Sequence, residues 1–106
     1  MDELGEDQVN LEEIAGDLIA ALEENRPDQA DVRHYALCFA EEAGEFIGAY
    51  RRYAGIARRA GSPEEVGDEL ADVLITASTV AVALGIDIEE AVKRKLDKIY
   101  SRGWRE

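Results

Sequence analysis

The sequence predicts an all-α protein, built as a four-helix bundle protomer that assembles into an oligomer. Alanine, glutamate and leucine are abundant and only two prolines occur in 106 residues, a composition that favours helix over sheet. Apolar residues recur with the helical period in four segments, and short breaks separate these segments. The length suits one domain with one core. We expect residues 1–9 to be flexible and residues 10–106 to form a single helical domain.

The first helix is predicted to begin after Asn10, because Glu13 follows three residues later in a capping-box pattern. It should end near Asn25, before a break at residues 26–28. Its apolar residues form a single stripe on the predicted helix: Leu11, Ile14, Leu18 and Leu22.

The second helix is predicted to run from about Ala30 to about Arg59. One face of it is apolar except at Glu42, which falls on the same stripe. The other members of this stripe are Tyr35, Phe39, Phe46, Ala49 and Tyr53. A carboxylate on an apolar face is costly to bury unless something compensates its charge. The arginines near the end of this helix, Arg51, Arg52, Arg58 and Arg59, are expected to form a solvated helix end and loop.

The third helix has the clearest start signal in the chain. Ser62 is the expected N-cap, Pro63 the first helical residue, and Glu65 completes a capping box. The helix should run to about Leu84, where Gly85 provides a C-terminal stop.

After Asp72 the chain carries no charge until Asp87, so the third helix is apolar or small nearly all round. Its apolar side chains cannot all face one interior: Val73, Ile75, Val80, Val82 and Leu84. The surplus predicts burial against another copy, in a homodimer or homotetramer. Asp87 and Glu90 are expected to cap a fourth helix that ends at Gly103.

The net charge of −12 argues against nucleic acid as a partner, because the phosphates would be repelled. The single cysteine, Cys38, indicates a reducing compartment. No signal-peptide pattern is present at the N-terminus, and the least polar run, residues 74–86, is too short to span a bilayer. We therefore expect a cytoplasmic protein that is not associated with a membrane.

Two pairs of acidic residues are spaced i, i+3, which places each pair on one side of a helix: Glu42 with Glu45, and Glu69 with Asp72. If the pairs face each other, they form an oxygen-rich cage suited to Mg²⁺, with Mn²⁺ also possible. An acidic surface that faces a partner is the alternative interpretation. A di-iron site of the ferritin type would need Glu-x-x-His pairs, and the one histidine, His34, lies in no such pair.

These acidic pairs carry a family resemblance. The pattern Glu41-Glu42-x-x-Glu45, a gap of 23 residues, then Glu69-x-x-Asp72 resembles the MazG-like, all-α nucleoside triphosphate pyrophosphohydrolases. Residues 67–74 are similar to the second motif of that family, and residues 85–92 with the following Lys98-x-x-x-Arg102 resemble its closing segment. The resemblance extends over about residues 36–104. It implies Mg²⁺ bound by the carboxylates, cleavage of a nucleoside triphosphate to monophosphate and pyrophosphate, and dimeric or tetrameric assembly.

The resemblance and the chemistry together assign candidate roles. The metal ligands are Glu42, Glu45, Glu69 and Asp72. Either Glu41 or Glu45 is the candidate to orient or deprotonate the attacking water, and sequence does not choose between them. The candidates for substrate binding are Lys98 and Arg102 for the triphosphate, Lys95 as a weaker addition, and His34 for the base or sugar.

Two further functions stay open at this point. One is the related phosphoribosyl-ATP pyrophosphatase activity, which uses a similar helical fold and acidic motifs. The other is a non-catalytic helical oligomer whose acidic patch binds a protein. A magnesium titration separates enzyme from scaffold, and a substrate panel separates the two enzymes.

Overall fold

The computed structural model describes residues 8–103, which form four α-helices joined by short connections, with no strand in this range. The elements are α1 (Leu11–Asn25), a 3-10 turn (Pro27–Gln29), α2 (Val32–Tyr53), α3 (Pro63–Leu84) and α4 (Ile88–Arg102). The predicted all-α class and the order of its four helices are confirmed. Of the N-terminal segment predicted to be flexible, residues 1–7 lie outside the described part of the chain.

Each helix begins at a side chain that caps it. The cap residue accepts a hydrogen bond from the backbone amide three residues later, at 3.0 to 3.2 Å: Asn10, Asp31, Ser62 and Asp87. At α3 the carboxylate of Glu65 also accepts from the amide of Ser62 at 3.0 Å, so the predicted capping box is complete. At α1 only the cap side of the predicted box is formed.

The predicted second helix is too long at both ends. The Asp31 cap starts α2 at Val32 rather than about Ala30, and α2 ends at Tyr53 rather than about Arg59. The cause of the early end is Gly55, which adopts φ 80, a left-handed conformation that stops a helix. The amide of Ile56 then donates to the carbonyl of Arg51 at 2.9 Å, which closes the last turn.

The helices α2 and α3 form an antiparallel pair, and α1 packs on α3. The buried interior is small: Ala15, Tyr35, Ala49 and Ala81, with Ser78 and Thr79. The two buried hydroxyls donate to carbonyls of their own helix at 2.9 Å, so they are satisfied. Among the described residues, no large side chain is fully buried.

Helix α4 leaves this body instead of joining it as a fourth packed layer. Its axis is bent by 104° from α3, and it packs only sparsely on the other helices. The radius of gyration is 16.7 Å, against about 13 Å for a compact domain of this length. Apolar side chains such as Leu74 and Val92 remain half exposed. The protomer alone therefore leaves much of its apolar surface uncovered.

Within residues 8–103, no single helix has the length and apolar content needed to cross a bilayer; α3 and α4 meet that test only when taken together across their bend.

The capping box of α3 begins the helix that carries Glu69 and Asp72. Its contribution to the stability of the protein can be tested directly. Replacing Ser62 with alanine leaves the amide of Glu65 without its partner, and we expect a loss of about 1 kcal/mol in the free energy of unfolding. Urea unfolding at one fixed protein concentration measures this change. Ser101, whose exposed hydroxyl donates to the carbonyl of Lys98, is the control. Ser101→Ala should change stability by no more than about 0.5 kcal/mol.

Candidate metal and nucleotide site

The antiparallel packing of α2 and α3 brings together three of the four paired acids, Glu42, Glu69 and Asp72. One carboxylate oxygen from each of Glu42, Glu69 and Asp72 lies within 4.8 Å of the others. The ligand oxygens of one octahedral Mg²⁺ lie about 3 to 4 Å apart, as its bond lengths of about 2.0 to 2.1 Å require. A small inward movement of these side chains is enough to reach that spacing.

Glu45, the fourth predicted ligand, lies outside this group of three but interacts with Glu42. Burial raises the pKa of Glu42, and the charge of Glu45, a hydrogen bond with it, and the charges of Asp72 and Glu69 raise that pKa further. We call Glu42, Glu45, Glu69 and Asp72 the carboxylate cluster. Without a cation, burial and the negative charges of its neighbours favour a proton on Glu42.

Two oxygens of the carboxylate cluster have unmet bonding capacity. Glu42 Oε1 and Glu69 Oε1 are buried and accept no hydrogen bond from any described residue. Buried carboxylate oxygens without partners are costly, and a bound divalent cation removes that cost. Glu45 and Asp72 are exposed, so the cluster opens to solvent on one side. The donor set, all oxygen and no nitrogen or sulfur, fits Mg²⁺ or Mn²⁺.

A comparison with protein families now adds to this geometry. The family model described as the MazG nucleotide pyrophosphohydrolase domain matches residues 31–104, which include the whole carboxylate cluster. The chain belongs to the MazG family. Membership supports a nucleotide pyrophosphohydrolase activity in general. A search of curated proteins found no match to the chain.

Glu41 and Glu45, the two candidates for the residue that activates water, differ in their relation to Glu42. Glu45 acts directly on Glu42 within the carboxylate cluster. Both residues are exposed and neither belongs to the three acids whose oxygens converge, but Glu41 is not among the groups that raise the pKa of Glu42. Neighbouring residues on a helix point about 100° apart, which explains why Glu41 does not share the direction of Glu42.

The basic residues of α4 lie on a helix that turns away from α3, and α3 carries Glu69 and Asp72. Twelve residues of α3 separate Asp72 from Leu84, about 18 Å of helix, and the chain then turns by 104° into α4. Lys95 and Lys98 are exposed on this projecting helix, and Arg102 lies in its last turn.

An apolar cavity of about 290 Å³ adjoins the cluster between α1, α2 and α3. Cys38 lies one turn before Glu42, and Thr76 one turn after Asp72, so the cavity and the cluster are neighbours along both helices. Its lining is Leu18, Leu22, His34, Tyr35, Cys38, Ile75, Thr76 and Thr79. This is where the structure places His34, which sequence had proposed as a substrate contact.

The polar groups of this cavity are already engaged. The hydroxyl of Thr76 donates to the carbonyl of Asp72 at 2.9 Å, and that of Thr79 to the carbonyl of Ile75 at 2.9 Å. His34 Nε2 lies 3.5 Å from Cys38 Sγ. Burial raises the pKa of the Cys38 thiol, and the charges of Glu41 and Glu42 raise it further. A protonated thiol is a poor nucleophile, so the cavity is suited to binding rather than to covalent chemistry.

Two features of the site escaped the sequence prediction. One is the cavity itself, whose α3 residues Ile75, Thr76 and Thr79 were seen only as part of an apolar helix. The other is Arg52, expected to be solvated but in fact partly buried at the end of the α2–α3 pair. A larger cavity of about 750 Å³ lies at the opposite end of α3, lined by residues such as Val9, Ala81 and Ile88. It does not contain the carboxylate cluster.

Proposed function

We propose that the protein is a Mg²⁺-dependent nucleotide pyrophosphohydrolase that cleaves a nucleoside or deoxynucleoside triphosphate to the monophosphate and pyrophosphate. The observation that carries the proposal is the convergence of the Glu42, Glu69 and Asp72 carboxylates, in which Glu42 Oε1 and Glu69 Oε1 are buried without a hydrogen-bond partner among the described residues. Membership of the MazG family supports the reaction class. Water adds across the anhydride between the α and β phosphates: hydroxyl joins one phosphorus, and the bridging oxygen leaves with the other.

The carboxylate cluster would hold the metal through Glu42, Glu45, Glu69 and Asp72. When bound, Mg²⁺ supplies charge neutralisation for the phosphates; Mn²⁺ suits the same oxygen donors. Glu45 is preferred to Glu41 as the group that orients the water and accepts its proton. The reason is its position: both glutamates are exposed, but only Glu45 interacts directly with Glu42.

The apolar cavity is the proposed site for the base of the nucleotide. It lies one helical turn from the cluster, which suits a base joined through its sugar to the phosphates. Because the hydroxyls of Thr76 and Thr79 already donate to their own helix, the cavity would select a base by shape and apolar contact. His34 is the candidate in this cavity to contact the base or sugar by hydrogen bonding.

The active form is proposed to be a homodimer or homotetramer. The support is the expanded protomer, with exposed apolar side chains on α3 and a projecting α4. In such an assembly, α4 would bring its basic residues to the carboxylate cluster of a neighbouring protomer, since it leads away from its own. The residues proposed for this contact with the triphosphate are Lys98 and Arg102, with Lys95 beside them.

A substrate panel tests the proposed function. Purified protein is incubated with canonical, deoxy and modified nucleoside triphosphates and with phosphoribosyl-ATP, and released pyrophosphate is measured with Mg²⁺, with Mn²⁺ and with excess chelator. We expect metal-dependent release of pyrophosphate and monophosphate in equal amounts from at least one nucleoside triphosphate. Release of inorganic phosphate instead, or turnover that survives chelation, would contradict the proposal. Turnover of phosphoribosyl-ATP alone would point to that activity.

A further inference from the structure

Arg52 lies on the same face of α2 as Glu45, farther toward the C-terminal end of the helix. Seven residues separate Glu45 from Arg52, about two helical turns, so both side chains leave the helix in nearly the same direction. The apolar cavity lies on the other side of the cluster, around Cys38 and Thr76. Along the α2–α3 pair, the order is therefore cavity, carboxylate cluster, Arg52.

The fold fixes the position of this arginine closely. The amide of Gly61 donates to the Arg52 carbonyl at 3.2 Å, and a methyl group added to Gly61 would lie 2.7 Å from Arg52 Cβ. Arg52 Nη1 lies 3.5 Å from the place where a Gly48 methyl group would stand. The guanidinium group therefore leans back over Gly48 toward Glu45, the direction in which helical side chains normally incline.

The charge of Arg52 has no counter-ion in the described chain. Its Nε is buried and makes no hydrogen bond with any described residue. The ion pairs found among residues 8–103 are Arg26–Asp28, Arg59–Glu65 and Lys93–Glu90. Nearby, Arg51 donates to the carbonyl of Ile56. A partly buried guanidinium without a partner is destabilising, and an anionic ligand removes that penalty.

We infer that Arg52 binds the terminal phosphates of the substrate and the pyrophosphate product. This inference rests on the proposed pyrophosphohydrolase function. It also sets the direction of the nucleotide: base in the apolar cavity, scissile anhydride at the carboxylate cluster, terminal phosphates at Arg52. A guanidinium group donates paired hydrogen bonds to phosphate oxygens and stabilises the negative charge that the leaving pyrophosphate gains.

The test compares Arg52→Met and Arg52→Lys with Arg58→Met, a control that removes a charge from an exposed position in the loop that follows α2. The readouts are KM, kcat and inhibition by pyrophosphate and by nucleoside monophosphate. Arg52→Met should raise KM and the pyrophosphate inhibition constant about 10- to 100-fold, and Arg52→Lys by less. Inhibition by the monophosphate should stay unchanged, because that product lacks the terminal phosphates. Arg58→Met should match wild type.

Stability separates ligand binding from a structural role. Removing an unpaired, partly buried charge should leave the melting temperature of ligand-free Arg52→Met equal to or above that of wild type. A lower melting temperature with unchanged inhibition by pyrophosphate would mean that Arg52 is structural, and would overturn the inference. Gly48→Leu provides a second variant, because it fills the space beside Nη1 while it keeps the charge. It should weaken pyrophosphate inhibition in the same direction; full retention of inhibition counts against the inference.

Failure of the proposed function is distinguishable from failure of this inference. If wild-type protein hydrolyses no nucleotide, the function is wrong, and calorimetric binding of Mg²⁺-pyrophosphate still decides the role of Arg52. Binding by wild type that weakens at least 10-fold in Arg52→Met supports it. Equal binding by both proteins, or no binding by wild type, overturns it.

Discussion

Replacing Glu69 with glutamine should reduce kcat/KM for the best nucleoside triphosphate by about 10²- to 10³-fold or more. Glu69 contributes to the carboxylate cluster a buried oxygen that has no hydrogen-bond partner within residues 8–103, and the amide of glutamine is a much weaker ligand for Mg²⁺. In metal-free protein the same change should raise the melting temperature, because one of four mutually repelling charges is removed. The stabilisation that Mg²⁺ gives to wild type should shrink or vanish in the variant.

Asp68→Asn is the matched control for this prediction. Asp68 precedes Glu69 on α3, is exposed, and does not belong to the cluster, so its removal subtracts the same charge outside the site. Activity and the response to Mg²⁺ should remain close to wild type. Near-normal turnover of Glu69→Gln at saturating Mg²⁺ would remove Glu69 from the set of essential ligands.

The raised pKa of Glu42 gives the metal-free protein a pH dependence of known sign. A carboxyl group whose pKa is raised in the folded state stabilises the fold at pH values below 4.5, its usual pKa. This stabilisation is lost as the pH rises through the pKa of the folded state. Ionised Glu42 therefore opposes folding near neutral pH when no cation is bound. Thermal melting of the metal-free proteins should be measured from pH 4.5 to neutral pH. The melting temperature should fall less with rising pH in Glu69→Gln than in wild type.

The local signals in the sequence were sufficient to find the helices. Caps such as Asp87 and the capping box of Ser62 act over one turn, so three residues of sequence contain the information. The end of α2 was missed because apolar periodicity was followed past Gly55, whose left-handed conformation stops the helix at once. That glycine was visible in the sequence and was the available signal.

The convergence of Glu42, Glu69 and Asp72 was also predictable, because i, i+3 spacing places Glu69 and Asp72 on one side of α3 and the apolar face of α2 defines which way Glu42 points. Glu45 was expected in the same group but is not among the three acids whose oxygens converge. The apolar cavity was not predictable, since it depends on how α1 lies across α2 and α3. The same holds for Arg52: its burial comes from the turn at Gly61 that packs against it, and no local pattern distinguishes it from its exposed neighbour Arg51.

Helix α4 was also predictable only in part. Its caps were predictable, but its departure from the body at 104° was not. A lone helix of 15 residues is marginally stable in water, and α4 has little packing within its own protomer. Its apolar side chains lie on one stripe: Ile88, Val92, Leu96 and Ile99. A second copy of the chain is the simplest partner to cover that stripe, because a two-fold contact buries the same surface on both protomers.

Val92→Glu should therefore dissociate the proposed oligomer and reduce activity at least 100-fold. Val92 is half exposed in the protomer, and a carboxylate placed there would have to be buried without a partner on both sides of a two-fold contact. Light scattering should show the mass of a dimer or tetramer for wild type and that of a monomer for the variant. Circular dichroism should show less helix in the variant, as α4 loses its partner surface.

Arg94→Glu is the control. Arg94 lies about 200° around α4 from Val92, so the substitution places the same carboxylate on the opposite face of the helix. It should keep the mass and the helix content of wild type. Loss of activity in monomeric Val92→Glu would then follow from two causes: exposed apolar surface, and the removal of Lys98 and Arg102 from a neighbour's carboxylate cluster. An active monomer at micromolar concentration, wild type or variant, would show that each protomer contains a complete site and that α4 serves another purpose.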